Sequence, residues 1–382
     1  MKLALVHDWL NQIGGAEDVL EHLVEDYPGA PIYTSLYAPD LMPDAYRAWD
    51  IHASWMDRLP GIYEHHQRYL PLYPLAWDRL DLSEYDVVLS NKSGFCHGLH
   101  TGPETLHICY CLTPTRYIWE LESYLAREKL GTPVQAAARL VARLYRGWDY
   151  RAAQRVDRFI AISREVQARI RRYYNRDSTI IYPPAEVAER FTPSETVEDY
   201  FFIVSRLIPY KRIDLAVQAC TQLGLPLLIA GKGRDRERLE ALAGPTVQFL
   251  GYVPDDDLPD LLARCRAFIF PGLEDFGITP LQAQAAGRPV IAFKGGGALD
   301  TVIPGKTGAF FEAQTVESLA HALQAFDPRD YDPAAIRAHA MQFDSAVFHR
   351  AMTGYVMHAW DEFQTQPRHR QPETILAPHE RR

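Results

Sequence analysis

Three side chains in the second half of the chain have the types and spacing to hold a ligand that is both anionic and rich in hydroxyls. Arg206 and Lys211 stand five residues apart in Ser205-Arg-Leu-Ile-Pro-Tyr-Lys211. A guanidinium fork and an ammonium point charge can together neutralise a diphosphate. Glu274 lies in FIFPGLEDFGITPLQAQAAGRPVIAF, Phe268 to Phe293, and its carboxylate can accept hydrogen bonds from hydroxyls. Just after it, the N–H groups of Phe276, Gly277 and Ile278 fall at a helix start, where they lack intrahelical partners and the helix dipole attracts phosphate. Two cations at this spacing, taken alone, read as solvated surface charge. Their position after a predicted strand, in the same domain as Glu274, argues for a site.

The first half offers looser constellations. Gly14-Gly15 separates a predicted strand from a helix, so a ligand can approach the backbone closely there. His7, Asp8 and Glu17 flank it. Asp8 reads either as a site residue or as a carboxylate that satisfies turn amides. His97, in Ser90-Asn-Lys-Ser-Gly-Phe-Cys-His97-Gly98, follows a strand and reads equally as a ligand contact or as a buried, hydrogen-bonded ring. Asp255-Asp256-Asp257 looks like a metal-binding run, but acids are favoured in a first helical turn, and capping is the expectation.

These residues need strands and helices to place them. Strands are predicted at Leu3–His7, Pro31–Thr34, Val87–Ser90, His107–Cys111, Phe159–Ile162 and Ile180–Tyr182 in the first half. In the second half they fall at Phe201–Ser205, Pro226–Ala230, Val247–Leu250, Ala267–Phe270, Val290–Phe293 and Ala309–Phe311, with helices near Ile213–Leu223, Asp235–Leu242, Asp255–Cys265 and Ile278–Ala286. Such alternation means parallel, doubly wound sheets. The expected organisation is α/β: domain one over 1–185, domain two over 186–344, a helix over 345–364 that packs back across the first domain, and a disordered tail over 365–382. Two doubly wound domains would face a cleft at the carboxyl ends of their strands. Residues 40–80, rich in Pro, Tyr and Trp, show no periodicity from which to derive a shape. A helix over 134–155 carries Leu140, Val141, Leu144, Tyr145, Trp148 and Ala152 at helical spacing beside Arg139, Arg143 and Arg146. It reads chiefly as an amphipathic domain helix with solvated arginines, and secondarily as a membrane-surface helix.

Composition bounds the partners. The 382 residues suffice for two cores. A net charge of −9, from 40 Lys+Arg against 49 Asp+Glu, argues against bulk binding of nucleic acid. The opening MKLALVHDWL reads as a strand, not a signal peptide, and no apolar run reaches the roughly 18 residues of a membrane span. Cys96, Cys109, Cys111, Cys220 and Cys265 form no CxxC pair, so buried thiols in a reducing cytoplasm are expected and structural zinc is not.

Arg206 with Lys211, the Glu274 loop and the opening VHDWLNQIGGAE together resemble the retaining glycosyltransferases of family 4, which have the GT-B fold of two Rossmann-like domains. Within that family the chain is most similar to bacterial mannosyltransferase-like members of polysaccharide and lipopolysaccharide assembly. The resemblance runs to about Phe363 and is weakest over residues 40–80. It implies a hexosyltransferase moving a hexose, with mannose the first guess, from a GDP- or UDP-sugar to a saccharide or lipid-linked saccharide with retention. Arg206 and Lys211 would sit on the donor phosphates and Glu274 on sugar hydroxyls, with no essential metal. His97 would assist at the donor sugar or acceptor hydroxyl. Gly14, Gly15, Gly231, Lys232, Tyr252, Val253, Phe276, Gly277, Ile278, Thr279 and Gln282 would line the donor, and Asp8 and Arg116 the acceptor side.

Two positions depart from the family pattern. Gln282 stands where the second acid of an E-x7-E motif is expected, and Leu112 where many relatives have a His that contacts the donor sugar. An epimerase acting on the nucleotide sugar, or an idle binding partner, are the alternative readings. A cytoplasmic protein, peripheral at the inner membrane surface, is expected.

Overall fold

The computed structural model describes residues 1–122 and 132–365. The tail expected over 365–382 lies outside them from residue 366 onward, and Thr365 ends the final helix. The chain divides into two compact units. The first comprises Met1–Ile162, Val166–Ile181 and the chain from His349 onward; the second comprises Ser163–Glu165 and Tyr182–Phe348.

The first unit is built on a seven-stranded sheet: β1 (Leu3–His7), β2 (Ile32–Thr34), β3 (Ile51–Ala53), β4 (Val87–Lys92), β5 (Leu106–Cys111), β6 (Arg158–Ala161) and β7 (Thr179–Ile180). Their spatial order is β3-β2-β1-β4-β5-β6-β7, and every pairing is parallel. Strands β1, β4 and β5 are buried along their whole length, as central strands covered on both faces must be; apolar stretches such as Leu3–Val6 and Val87–Leu89 dominate them, and polar His7, Ser90, Asn91, Lys92 and His107 are buried with them. The region without periodicity supplies β3 and a series of short helical turns, including Ile62–His65 and Tyr73–Asp78. Its aromatics close one side of the core: Tyr46, Tyr73 and Trp77 are fully buried.

The second unit carries six parallel strands: β8 (Phe201–Val204), β9 (Leu227–Ala230), β10 (Val247–Gly251), β11 (Ala267–Phe270), β12 (Val290–Phe293) and β13 (Gly308–Phe311). Their order is β10-β9-β8-β11-β12-β13. Helix Ile213–Leu223 has the predicted bounds and ends at Gly224, whose φ of 65° lets it close the helix. Helices Val316–Ala325 and Pro333–Ala340 were not anticipated. The long final helix, Ser345–Thr365, begins in the second unit and belongs to the first from His349 onward.

Two local expectations hold only in part. Helix Thr132–Arg155 turns Ala142, Asp149, Ala152 and Ala153 inward, while Leu140 and Leu144 are 63% and 66% exposed and Val141 is exposed too. Tyr145 and Trp148 also pack against the core, through Phe95, so it is the aliphatic part of the expected apolar set that is left outside. Asp257 does occupy the N-cap of helix Leu258–Arg264, but its side chain makes no cap hydrogen bond. The acidic run is therefore not a side-chain cap.

Candidate functional site

In a doubly wound sheet the strand order reverses at one point, and the loops leaving the two strands there part to opposite faces, opening a crevice at their carboxyl ends. In the second unit that point lies between β8 and β11, which pair through Ala267↔Phe201 and Phe268↔Phe202. Arg206 and Lys211 follow β8, and Glu274 follows β11. Residues 63 positions apart are thereby brought together: Lys211 Nζ lies 2.7 Å from Glu274 Oε1. The two charges form a close ion pair. A cavity of about 160 Å³ opens here, lined by Arg206, Lys211, Gly272, Glu274 and Thr279 among others.

The local backbone explains the placement. Lys211 closes a single 3-10 turn, Pro209–Lys211, and Arg212 follows with φ 52°, a left-handed conformation uncommon for a side chain of this size. Asp214 holds the Arg212 guanidinium at 3.3 Å. Arg206 is exposed, with Nη2 3.5 Å from the Tyr210 hydroxyl. On the other side, helix Ile278–Ala285 starts from Gly277, whose φ is 95°. No acceptor among the described residues pairs with the N–H groups of Phe276, Gly277 and Ile278. The anion-binding helix start read from the sequence is thus present beside Glu274. The Phe276 ring is buried and stacks on Tyr182 at 5.6 Å, so this residue offers its amide and not its side chain.

Gln282 lies one turn into that helix, half buried, with no side-chain hydrogen bond among the described residues. Its neighbour Gln284 is wholly buried and donates to Thr301 O at 2.8 Å, a structural role. Sequence reasoning overlooked Gly295-Gly296-Gly297, which follows β12. A Cβ on Gly296 would come within 2.2 Å of Glu274 O, and Gly297 N donates to that same oxygen at 2.9 Å. The triple glycine lets this loop lie directly under the Glu274 loop and fix it. Three consecutive glycines after a predicted strand were the available signal.

Gly231 and Gly233 have a structural explanation that needs no ligand. A Cβ at Gly231 would meet Ser205 O at 1.9 Å, and one at Gly233 would meet Leu207 O at 2.2 Å, so the loop after β9 is packed against the loop after β8. Leu207 N donates to Lys232 O at 2.9 Å. Lys232 Nζ stands 5.3 Å from the centre of the exposed Tyr252 ring, and Val253 beside it is half buried.

In the first unit the equivalent reversal, between β1 and β4, is occupied from within. The Asp8 carboxylate, fully buried, accepts four backbone hydrogen bonds: from Ser93 (2.7 Å) and Gly94 (2.5 Å) on Oδ2, and from Phe95 (2.6 Å) and Cys96 (2.8 Å) on Oδ1. Both oxygens are engaged in holding the loop after β4. Asp8 is therefore a turn-satisfying carboxylate and not an acceptor-side ligand. His7 is buried too, its Nδ1 3.2 Å from Asn91 Nδ2 and its Nε2 3.2 Å from Glu17 Oε1. Asn91 also donates to Ala16 O at 2.7 Å, which anchors the helix Gly15–Asp26. Gly14 and Gly15 remain exposed at that helix start, and a Cβ on Gly15 would meet nothing within 4 Å. The fold itself does not demand glycine there.

His97 is also corrected. It is wholly inside the first unit, with Nε2 3.4 Å from Asp149 O and its ring beside Trp148 and Tyr174. Burial, then the neighbouring Lys92, holds its pKa well below the usual 6.5. A neutral imidazole without exposed surface is a core residue, not a ligand contact. Around it lies a network the sequence did not disclose. Lys92, fully buried, donates to Thr113 O (3.1 Å) and Thr115 Oγ1 (3.3 Å). Asp149 accepts from Trp119 Nε1 (2.6 Å) and Tyr174 OH (2.8 Å). Arg116 begins the one-turn helix Arg116–Trp119 above this network and is half buried. All five cysteines are free and buried, and burial pushes Cys220 and Cys265 up to about 12.

Two doubly wound parallel sheets, with charged and glycine-rich loops at the carboxyl ends of the second, define an α/β protein of the GT-B class. Residues 13–189 match the description Glycosyltransferase Family 4, and residues 186–327 match Glycosyl transferases group 1. The chain belongs to glycosyltransferase family 4. It is 37% identical over 135 residues, 31% of this chain and 35% of the relative, to the GDP-mannose-dependent monoacylated alpha-(1-6)-phosphatidylinositol monomannoside mannosyltransferase of Corynebacterium glutamicum. It is 30% identical over 163 residues, 38% of this chain and 42% of the relative, to O-antigen chain mannosyltransferase B of Escherichia coli. These matches thus span well under half the length of either relative. Among solved structures, Anabaena HepE in complex with UDP shares 17% identity at a TM-score of 0.67, covering 94% of this chain and 100% of that one. Sucrose-phosphate synthase from Thermosynechococcus elongatus shares 19% at 0.69, covering 94% and 99%. At that identity the likeness speaks to the fold.

Proposed function

We propose that the protein transfers a hexose, mannose from GDP-mannose in the first instance, to a saccharide or lipid-linked saccharide with retention of anomeric configuration. The observation that carries this reading is the meeting of Lys211 and Glu274 beside Arg206 and an unpaired helix start, at the strand-order reversal of the second unit. The donor diphosphate lies against Arg206, Lys211 and the amides of Gly277 and Ile278. As the glycosidic bond breaks, negative charge grows on the leaving diphosphate, and contacts that strengthen with that charge lower the barrier. The Glu274 carboxylate, held by Lys211 at Oε1, takes a sugar hydroxyl on a remaining lone pair. The acceptor oxygen attacks from the face the diphosphate leaves, and a donor phosphate oxygen takes its proton, so the chemistry calls for neither a protein nucleophile nor a metal at this site. Thr279 and Gln282 face the donor from the next helix, and Tyr252 and Lys232 from the loops after β10 and β9.

The mannosyl reading is favoured by the GDP-mannose-dependent relatives, and a UDP-sugar is the competing donor. No helix among the described residues is long and apolar enough to cross a membrane. The exposed Leu140, Val141 and Leu144 beside Arg143 favour peripheral contact with an anionic bilayer, where lipid-linked acceptors lie. Thermal-shift measurements with GDP-, UDP- and ADP-sugars test the donor. Stabilisation by one nucleotide class is expected, and no shift with any of them would remove the central reading.

A further inference from the structure

A second cluster of chemistry-bearing side chains lies in the first unit, on the far end of the helix that starts at Gly14-Gly15. His22 and Glu25 sit three residues apart on one face of helix Gly15–Asp26. His349, from the early turns of the final helix, meets them from across 327 residues of chain. The three ligand atoms form a small triangle. His22 Nδ1 to His349 Nε2 is 3.2 Å, His22 Nδ1 to Glu25 Oε2 is 3.4 Å, and His349 Nε2 to Glu25 Oε2 is 3.5 Å.

We infer that His22, Glu25 and His349 form a binding site for a tetrahedral divalent metal ion, zinc by preference. The dimensions carry the inference. Zinc bonds of about 2.0–2.1 Å to nitrogen and oxygen, set at the tetrahedral angle, place neighbouring ligand atoms about 3.3–3.4 Å apart. The observed edges bracket that value, so the three ligand atoms match one face of a zinc tetrahedron. A simple imidazole–imidazole hydrogen bond accounts for one edge of the triangle; it does not require the carboxylate oxygen to close the other two.

Two further features match a metal site. His349 Nδ1 lies 2.7 Å from Asp26 Oδ1. That contact fixes the proton on Nδ1 and turns the lone pair of Nε2 toward the triangle, the carboxylate–imidazole arrangement that orients histidines on metals. The triangle also sits at the carboxyl end of helix Gly15–Asp26, whose last turn contains no basic residue. The helix dipole is negative there and favours a cation. Bound metal joins the helix that follows Gly14-Gly15 to the final helix, and so fastens two segments that are remote in sequence. Cysteine spacing could not reveal such a site, because its ligands are imidazoles and a carboxylate supplied from opposite ends of the chain.

The test uses the full-length, tag-free chain, stripped with a chelator and then titrated with zinc chloride and, separately, cobalt chloride. The expected result is one equivalent of zinc per chain by elemental analysis, a rise in Tm on zinc addition, and the strong visible absorption of tetrahedral cobalt. His22→Gln and His349→Gln should each weaken zinc binding by more than 100-fold. Asp26→Asn, which keeps the shape but not the charge, should cost about 10- to 100-fold. Circular dichroism checks folding, and Glu25→Gln on a 66% exposed side chain gives a variant that leaves the core untouched. Absence of stoichiometric zinc, a weak octahedral cobalt spectrum, or affinity unchanged in Glu25→Gln and His349→Gln would each overturn the site.

Discussion

Lys211 and Glu274 are expected to act as a unit, and a double-mutant cycle on donor binding measures whether they do. With 2.7 Å between Nζ and Oε1, and side chains only 20% and 15% exposed, the pair is partly desolvated. Two unit charges at about 4 Å attract by about 4 kcal/mol at the effective dielectric of such a site, and solvent access reduces the net worth to a fraction of that. Lys211→Ala removes one charge-assisted contact to the diphosphate, about 1.5–3 kcal/mol, or roughly 10- to 150-fold in Kd. It also leaves the Glu274 carboxylate facing the donor phosphates uncompensated, which pushes the loss toward the upper limit. Glu274→Gln keeps a hydroxyl acceptor and frees Lys211 for the phosphates, so its loss is smaller, about tenfold or less. In Lys211→Ala/Glu274→Gln the stranded charge is gone. The double variant should therefore bind better than the sum of the single losses predicts, by about 1–2 kcal/mol. Isothermal titration with the nucleotide sugar chosen by the thermal-shift screen reads all four corners. Additivity to within about 0.5 kcal/mol, or wild-type affinity in both single variants, would refute the coupled site.

Four further outcomes follow from particular contacts. Gln282→Glu should tighten donor binding about fivefold to tenfold, because a charged acceptor replaces a neutral one; an unchanged Kd would show that the position does not touch the donor. Asp8→Asn puts an amide nitrogen against two of the four N–H groups now bound to the carboxylate, and should destabilise the first unit by about 2–6 kcal/mol in urea unfolding. Normal stability with lost turnover would return Asp8 to the acceptor side. His97 stays neutral in the fold, whereas an unfolded histidine takes a proton near 6.5. The unfolded chain then binds more protons below that pH, so stability is fully present above about 6.5 and falls by up to about 1.4 kcal/mol per unit of acidification below it. His66, lowered by burial, adds to this slope, and His97→Gln should flatten it without abolishing it; urea midpoints from pH 5 to 8 decide. Finally, Leu140→Ser/Leu144→Ser should reduce co-sedimentation with anionic vesicles several-fold while leaving soluble-donor binding intact.

The second unit was the more legible half. Its strands are short apolar runs punctuated by Gly and Pro, and helices with period 3.6 intervene, so local signals and the final sheet agree. The Glu274 corner could be read because one segment contains strand, loop, helix start and next strand together. The first unit was harder, since residues 40–80 fold around aromatic packing that leaves no period in the sequence. Helix Thr132–Arg155 shows a different limit. Its apolar residues recur at helical spacing, yet only Tyr145, Trp148 and Ala152 of them turn to the core, beside Ala142, Asp149 and Ala153, while Leu140, Val141 and Leu144 stay exposed.

The sequence by itself determined the class of the fold, the run of elements in the second unit, and the types of side chain able to hold a sugar and a diphosphate. Those are local properties, set by periodicity, turn residues and charge. Tertiary structure alone decided which of the candidates face outward. It set Lys211 against Glu274, and it closed Asp8 around four amides of its own chain. It also sealed His97 within the core beside Lys92 and Asp149. The physical reason is that burial and partnership depend on which distant strands become neighbours. A histidine or an aspartate after a strand reads the same in sequence whether its loop opens to a ligand or closes on itself.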